Sequence, residues 1–191
     1  MSRLRVFIAV DPGKAIRSRC VALQDTLARS ADRVRWEKPE NIHVTLLFLG
    51  DVDERDLLPV CKAFSAVCAE QGAFPVSVES VGCFPNLQRP RTIWAGIGMG
   101  AAELVALHDA LERPLIDLGC YRREERQFKP HLTLGRVKGD GMSYQLTMAL
   151  TKQLQWRGGE SVIDTVQVMS SELTSDGPLY SVVSTAKLRS Q

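Results

Sequence analysis

The chain has no long hydrophobic run. A membrane-spanning helix needs about 20 consecutive apolar residues, and the apolar stretch within MSRLRVFIAV meets Asp11-Pro12-Gly13 at once. No small-residue cleavage site follows it, so it reads as a buried first strand and not as a leader. Cysteines are few and unpatterned. Cys20, Cys61, Cys68, Cys83 and Cys120 are odd in number and never spaced Cys-x-x-Cys, which fits free thiols in a reducing compartment better than a disulfide or zinc framework. The expectation is a cytoplasmic protein. Charge of neither sign dominates: 24 Lys and Arg against 22 Asp and Glu leave a net charge of +2. That excludes a protein that coats polyanions broadly but permits a local basic site for a phosphate or a short nucleic acid. Linkers and low-complexity tracts are also missing, so residues 1–191 are expected to form one domain. Histidine is scarce too, with three in the chain.

What is present is a regular alternation of elements. Leu4 to Val10 reads as a strand stopped by Asp-Pro-Gly. Ile16, Cys20, Leu23 and Leu27 recur at helical spacing, as do Leu57, Cys61, Phe64 and Cys68. Between these helices, Val34 to Trp36 is a short extended piece, and Ile42 to Leu49 is a strand ended by Gly50-Asp51. Phe74 to Phe84 and Thr92 to Ile97 are strands around the turn-rich segment from Pro85 to Pro90. Leu104, Leu107, Leu111 and Leu118 predict a third helix, which Pro114 should kink or break. A polar stretch from Tyr121 to Pro130 leads to a strand from His131 to Val137. Ser143 to Gln155 is expected to be a fourth helix. Closing strands follow at Val162 to Leu173 and Leu179 to Leu188, with Ser175-Asp176-Gly177-Pro178 as the turn between them. Several neighbouring strands are joined by turns too short for parallel crossovers, which predicts an α+β fold with antiparallel sheets.

Two of the three histidines share one local frame: His43-Val44-Thr45-Leu46 and His131-Leu132-Thr133-Leu134. In a strand, residues i and i+2 point the same way, so each motif sets an imidazole beside a hydroxyl on one face. Strand–helix material precedes each copy, a hint of two similar lobes with the motif strands facing across a cleft. Two imidazoles and two hydroxyls in one cleft supply a proton acceptor, a proton donor and hydrogen bonds to phosphate oxygens. Two histidines with no third ligand at a recognisable spacing do not make a metal site. His108 lies on a helical pattern without a threonine two residues on, and reads as structural or exposed. Trp36 and Trp94 are expected in the core.

The paired His-x-Thr-Leu motifs resemble those of the 2H phosphoesterases, and most closely the RNA 2′,3′-cyclic phosphodiesterases, historically called 2′-5′ RNA ligases. The resemblance extends over Arg5-Val6-Phe7-Ile8-Ala9-Val10, over Arg35-Trp36 and Pro39 to Gly50, over Phe84-Pro85, Pro90-Arg91 and Trp94, and over Phe128 to Arg136. It implies a bilobal fold with the active site between the lobes. It further implies cofactor-free and metal-free opening of an RNA 2′,3′-cyclic phosphate to a 2′-phosphate, with 2′-5′ ligation as the reverse type of reaction. By this carry-over His43 is the general acid, His131 the base, and Thr45 and Thr133 bind the phosphate. RNA ends such as tRNA fragments, or cyclic nucleotides, are the partners; no membrane or obligate protein partner is indicated. The motifs alone do not order the two histidine roles. The alternatives are a related enzyme acting on 2′-5′ oligonucleotides or a small cyclic-phosphate nucleotide, and an RNA-end-binding module without turnover.

Arg136 is the natural fixed charge for the phosphate, the alternative being a solvated surface arginine. Strict alternation places it on the face opposite His131 and Thr133, so a bulge at Gly135 or the length of the side chain has to bring it round. The same offset in the first motif holds Phe48. Core packing is its leading reading, with stacking on a base as the other. The cationic stretch from Tyr121 to Lys138 reads equally as a guide for RNA and as a solvated loop.

Overall fold

The computed structural model describes every residue except Met1, Asp32, Glu124, Glu125, Asp140, Gly141, Asp176 and Gln191. The elements in chain order are β1 (Arg3–Val10), α1 (Lys14–Ala28), β2 (Val34–Trp36), a 3-10 turn (Pro39–Asn41), β3 (Val44–Asp53), α2 (Glu54–Glu70), β4 (Phe74–Phe84), β5 (Thr92–Ile97), α3 (Ala101–Asp117), β6 (His131–Val137), α4 (Tyr144–Thr151), β7 (Arg157–Ile163), β8 (Thr165–Thr174) and β9 (Gly177–Lys187). The strands form one sheet in the order β7-β4-β5-β6-β3-β1-β8-β9, with β2 paired to β6. Each named pair is antiparallel, as the short connections predict. None of the described helices is long and apolar enough to cross a membrane.

Several expectations change. The closing strand foreseen from Val162 to Leu173 is two strands, β7 and β8, which lie far apart in the sheet order and are joined through Asp164 alone. Consecutive Cα atoms are only about 3.8 Å apart, so the sheet must curl to bring β7 and β8 together. Pro114 does not break α3, which runs on to Asp117. Leu104, Leu107, Leu111 and Leu115 are all buried along one face, and that packing outweighs one lost backbone hydrogen bond. Leu118, read as a member of that face, is exposed, and Leu115 takes its place. Gly50 does not end β3 but sits within it at a positive φ of 73°, where only glycine is unstrained. The fourth helix is shorter than expected and is capped by Ser143, whose Oγ accepts from the Leu146 N–H at 3.2 Å. The turn foreseen at Ser175 to Pro178 lies partly outside the described residues.

The two lobes share this sheet. β6 and β3 meet at its centre through the single pair Val44↔Leu132, the residues that follow the two motif histidines. To either side the arrangement repeats: β1, α1 and β3 on one side match β5, α3 and β6 on the other. A pseudo-twofold axis therefore passes between the two motifs.

Both motif strands carry the same irregularity. On β6, Trp94 pairs with Thr133 and Ile93 with Gly135, leaving Leu134 as an extra residue. On β3, Ala9 pairs with Thr45 and Ile8 with Leu47, leaving Leu46 extra. An extra residue reverses the phase of alternation. Consistent with that, Leu46 and Leu47 are both buried, as are Leu134 and Gly135, while Phe48 and Arg136 are exposed. Glycine is required at position 135, where a Cβ would come within 2.8 Å of the Trp36 and Val34 side chains. Trp36 is partly buried against the core and Trp94 packs on Phe84, with centroids 5.2 Å apart.

The bulge on β6 is tied down from a distance. Gln24 of α1 is buried, and its Nε2 donates to the carbonyls of Leu134 at 2.7 Å and Glu37 at 2.9 Å. The Leu134 carbonyl also accepts from the Glu37 N–H at 2.9 Å. Gln24→Leu leaves buried carbonyl capacity unsatisfied, a cost of about 1–3 kcal/mol. The expected result is a lower urea midpoint at unchanged slope; an unaltered midpoint would remove Gln24 from the stability of the bulge.

Candidate active site

His43, Thr45, Phe48, His131, Thr133 and Arg136, all six site residues expected from sequence, line one cleft of about 370 Å³ across the pseudo-twofold axis. The two halves are built alike. His43 is hydrogen-bonded to the backbone of Asn41, and His131 Nδ1 donates to the backbone carbonyl of Lys129 at 2.7 Å, so each imidazole is fixed by the residue two positions before it. Each also rests on a phenylalanine. Phe7 stacks on His43 with centroids 5.0 Å apart, and Phe84 meets His131 edge-on at 4.9 Å. Thr45 Oγ1 lies 2.9 Å from His43 Nε2. With the other ring nitrogen donating to Asn41, the hydroxyl donates to Nε2.

Burial dominates the electrostatics. Loss of water around His43 pushes its pKa down to about 4, more than offsetting the Asn41 hydrogen bond and the Asp11 charge, which act the other way. His131 is also lowered, first by burial and then by the Arg136 charge, against the Lys129 hydrogen bond. Both imidazoles are therefore neutral in the free protein at neutral pH. Arg136 Nε donates to Glu37 Oε1 at 3.2 Å, while half of the arginine side chain remains exposed to the cleft. A bulge turns Arg136 toward the cleft, at Leu134 and not at Gly135 as foreseen. Because Arg136 depresses both imidazoles, Arg136→Met should raise both midpoints in an NMR titration. Midpoints that stay in place would show that the guanidinium does not act on the pair.

Phe48 departs from its leading reading. It is 42 % exposed instead of buried in the core, because the bulge at Leu46 turns it outward, and the Arg5 guanidinium lies 4.9 Å from its ring centroid. His108 is half-buried and stacked on Phe128. In the basic stretch, Arg123 is bound to Glu112 by Nε at 2.8 Å, and Glu124 and Glu125 lie outside the described residues. No group of three or more candidate metal-ligating side chains occurs among the described residues.

Comparison with known proteins gives the family and the fold. Residues 10–94 match the family described as LigT like Phosphoesterase. A protein of Archaeoglobus fulgidus named RNA 2′,3′-cyclic phosphodiesterase is 34% identical over 177 residues, covering 93% of this chain and 96% of its own. A protein of the same name from Aeropyrum pernix is 31% identical over 172 residues, covering 90% and 96%. The chain belongs to the LigT-like phosphoesterase family. A crystal structure of a Thermus thermophilus protein superposes on this LigT-like fold with a TM-score of 0.84 at 25% identity, covering 98% of this chain and 100% of the other. E. coli LigT, crystallised with 3′-AMP, has the same fold, with a TM-score of 0.75 at 21% identity and coverage of 98% and 99%.

Several cleft residues of this LigT-like phosphoesterase escape a reading of the motifs. Tyr180 meets the His43 ring edge-on at 5.4 Å, and Asn41 donates to the Pro178 carbonyl at 3.2 Å, drawing the start of β9 over the site. Arg5, Arg35 and Glu37 complete the polar wall. Arg5, Arg35 and Asn41 lie inside the segments that resemble the family, so a signal for them existed. Tyr180 lies in a strand with no motif at all, and only the curl of the sheet brings it to the cleft.

Proposed function

We propose that residues 1–191 act as one bilobal domain that opens the 2′,3′-cyclic phosphate at an RNA end, breaking the P–O3′ bond and leaving a 2′-phosphate. The observation that carries this reading is the pair of His-x-Thr units facing one cleft about a pseudo-twofold axis, with Arg136 beside them. The names of the relatives at 30% identity and above support the same substrate class.

An in-line displacement needs a base behind the attacking water and an acid beside the departing oxygen, and two imidazoles on opposite halves of a cleft suit that division. His131 takes the water proton, and His43 delivers a proton to O3′. Thr133, and Thr45 once it releases His43 Nε2, donate to non-bridging oxygens as charge builds up, and Arg136 supplies a fixed cation. An arriving phosphate anion favours the imidazolium form and so offsets the burial that keeps the free rings neutral. Phe48, capped by Arg5, and Tyr180 offer ring faces to a base.

The test is incubation with a 2′,3′-cyclic mononucleotide and with an RNA bearing that end, reading the product by ³¹P NMR. A 2′-phosphate from both is expected. Release of a 3′-phosphate would overturn the assigned bond cleavage, and tight binding without product would replace the enzyme by an RNA-end-binding protein.

A further inference from the structure

Glu37 is the one carboxylate among the described residues that line the cleft, where it shares the wall with Arg5, Arg35 and Arg136. Its side chain is 10 % exposed, and its Oε1 accepts from Arg136 Nε at 3.2 Å. A glutamate is seldom buried so far unless it is paired. Here the pairing has a local origin. Arg35 and Arg136 lie directly opposite in the β2–β6 register, an unfavourable arrangement for like charges. Glu37 follows Arg35 by two residues, the spacing that keeps both on the cleft side. Its backbone is tied on both sides. The N–H donates to the Leu134 carbonyl at 2.9 Å, and the carbonyl accepts from Gln24 Nε2 at 2.9 Å. The carboxylate is therefore a fixed negative charge beside the cation that meets the phosphate. Asp11, whose charge reaches His43, is not among the lining residues and is paired with Arg17 at 2.7 Å.

The Glu37 contact uses one of the five N–H donors of the Arg136 guanidinium, and half of the arginine side chain stays exposed. A phosphate on the remaining donors sits one guanidinium width from the Glu37 carboxylate, inside the screening length of about 8 Å at physiological salt. Charge then separates substrate from product. A cyclic phosphodiester carries one negative charge. When it opens, the water oxygen joins phosphorus, the P–O3′ bond breaks and one water proton ends on O3′. The other becomes the second ionisable proton of the monoester, with a pKa of about 6. We propose that Glu37 is a specificity-determining residue, whose fixed charge admits the singly charged ester and weakens the hold on the doubly charged 2′-phosphate. This rests on the function proposed above. The carboxylate repels a ligand once per charge, so its effect on the affinity of a dianion is the square of its effect on a monoanion. The product is thereby released against the pull of three arginines.

The probes are 3′-deoxyadenosine 2′-phosphate and its methyl ester, which differ by one charge at pH 8 and lack the O3′ needed to close the ring. Calorimetry gives both Kd values for the natural protein, for Glu37→Gln and for Glu37→Asp. Glu37→Gln keeps an acceptor for Arg136 Nε and removes the charge, whereas Glu37→Asp keeps the charge. In Glu37→Gln the methyl ester is expected to bind about threefold tighter and the 2′-phosphate about tenfold tighter. In Glu37→Asp the ratio of the two Kd values should stay within twofold of the natural one. Equal gains for the two probes in Glu37→Gln, or no gain, would overturn the proposal. So would the same change of ratio in Glu37→Asp, because Glu37 would then only prop Arg136. The natural protein gives an independent reading. Its second charge should strengthen binding less than tenfold, and a gain of tenfold or more would overturn the proposal whatever the variants do. Hydrolysis of a 2′,3′-cyclic mononucleotide is assayed alongside. An active enzyme with an unshifted ratio loses this role alone, whereas absence of hydrolysis overturns the proposed function and this role with it.

Discussion

Replacing either His43 or His131 by alanine is expected to lower kcat on a 2′,3′-cyclic phosphate by roughly 10²–10⁴-fold, the size of a lost general acid or base. The fold should survive, because both side chains are partly accessible and face the cleft, while their neighbours Val44 and Leu132 supply the core contact. Circular dichroism and a thermal melt check this. Acid and base act in one concerted step, so removing both histidines should cost little more than removing one. Steady-state rates for the two single variants and the double variant decide the matter. A single variant with near-natural turnover would sink the two-histidine mechanism, and so would fully multiplicative losses.

The second large effect is on pH dependence. Productive enzyme carries one imidazolium and one neutral imidazole, so kcat/KM follows a bell whose limbs are the two free-protein titrations. Both rings are displaced below the ordinary value of 6.5, with His43 at about 4, chiefly because burial disfavours their charged forms. The optimum of kcat/KM is therefore expected below pH 6.5, with a tenfold fall for each pH unit on the basic side. The profile reports the pair, not its members, since both singly protonated forms hold the same number of protons. Burial holds the His43 imidazole neutral in the free protein, so the anionic substrate must favour the form with the proton on His43. An optimum of kcat/KM above pH 7.5 would contradict the burial of the two rings.

The same displacement has a stability counterpart. A histidine whose folded pKa lies below its unfolded value leaves stability intact above pH 6.5, because both states are then neutral. Between pH 6.5 and about 4 the unfolded chain binds the proton and the folded one resists it, so stability falls with pH through that window. Each pH unit of displacement is worth about 1.4 kcal/mol. His43→Gln should flatten the urea midpoint between pH 6.5 and 4; an equally steep decline would assign the acid sensitivity to other groups.

Much of this was legible in the sequence. The period of two in His43-Val44-Thr45 and His131-Leu132-Thr133 is a local property of an extended backbone, so the shared face of each His–Thr pair follows without any knowledge of neighbours. The helical spacing of Leu104, Leu107 and Leu111 is local in the same sense, as are the turns that forced antiparallel pairing. Pro114 shows the limit of such reasoning, since a local cost was overridden by a buried face that only packing creates.

By itself, then, the sequence determined most of the elements, their antiparallel pairing and the chemistry of each motif, because backbone period and turn geometry act over a few residues. Tertiary structure decided what completes the cleft. Arg136 and Phe48 face it because bulges at Leu134 and Leu46 reverse the alternation, and a bulge is set by register against another strand. The β6 bulge is further held by Gln24, 110 positions away in the chain. Tyr180 reaches His43 because the sheet curls, and the two histidines share one site because Val44 pairs with Leu132. Each of these is a contact between distant residues, fixed by the packing of the whole sheet and by no local preference.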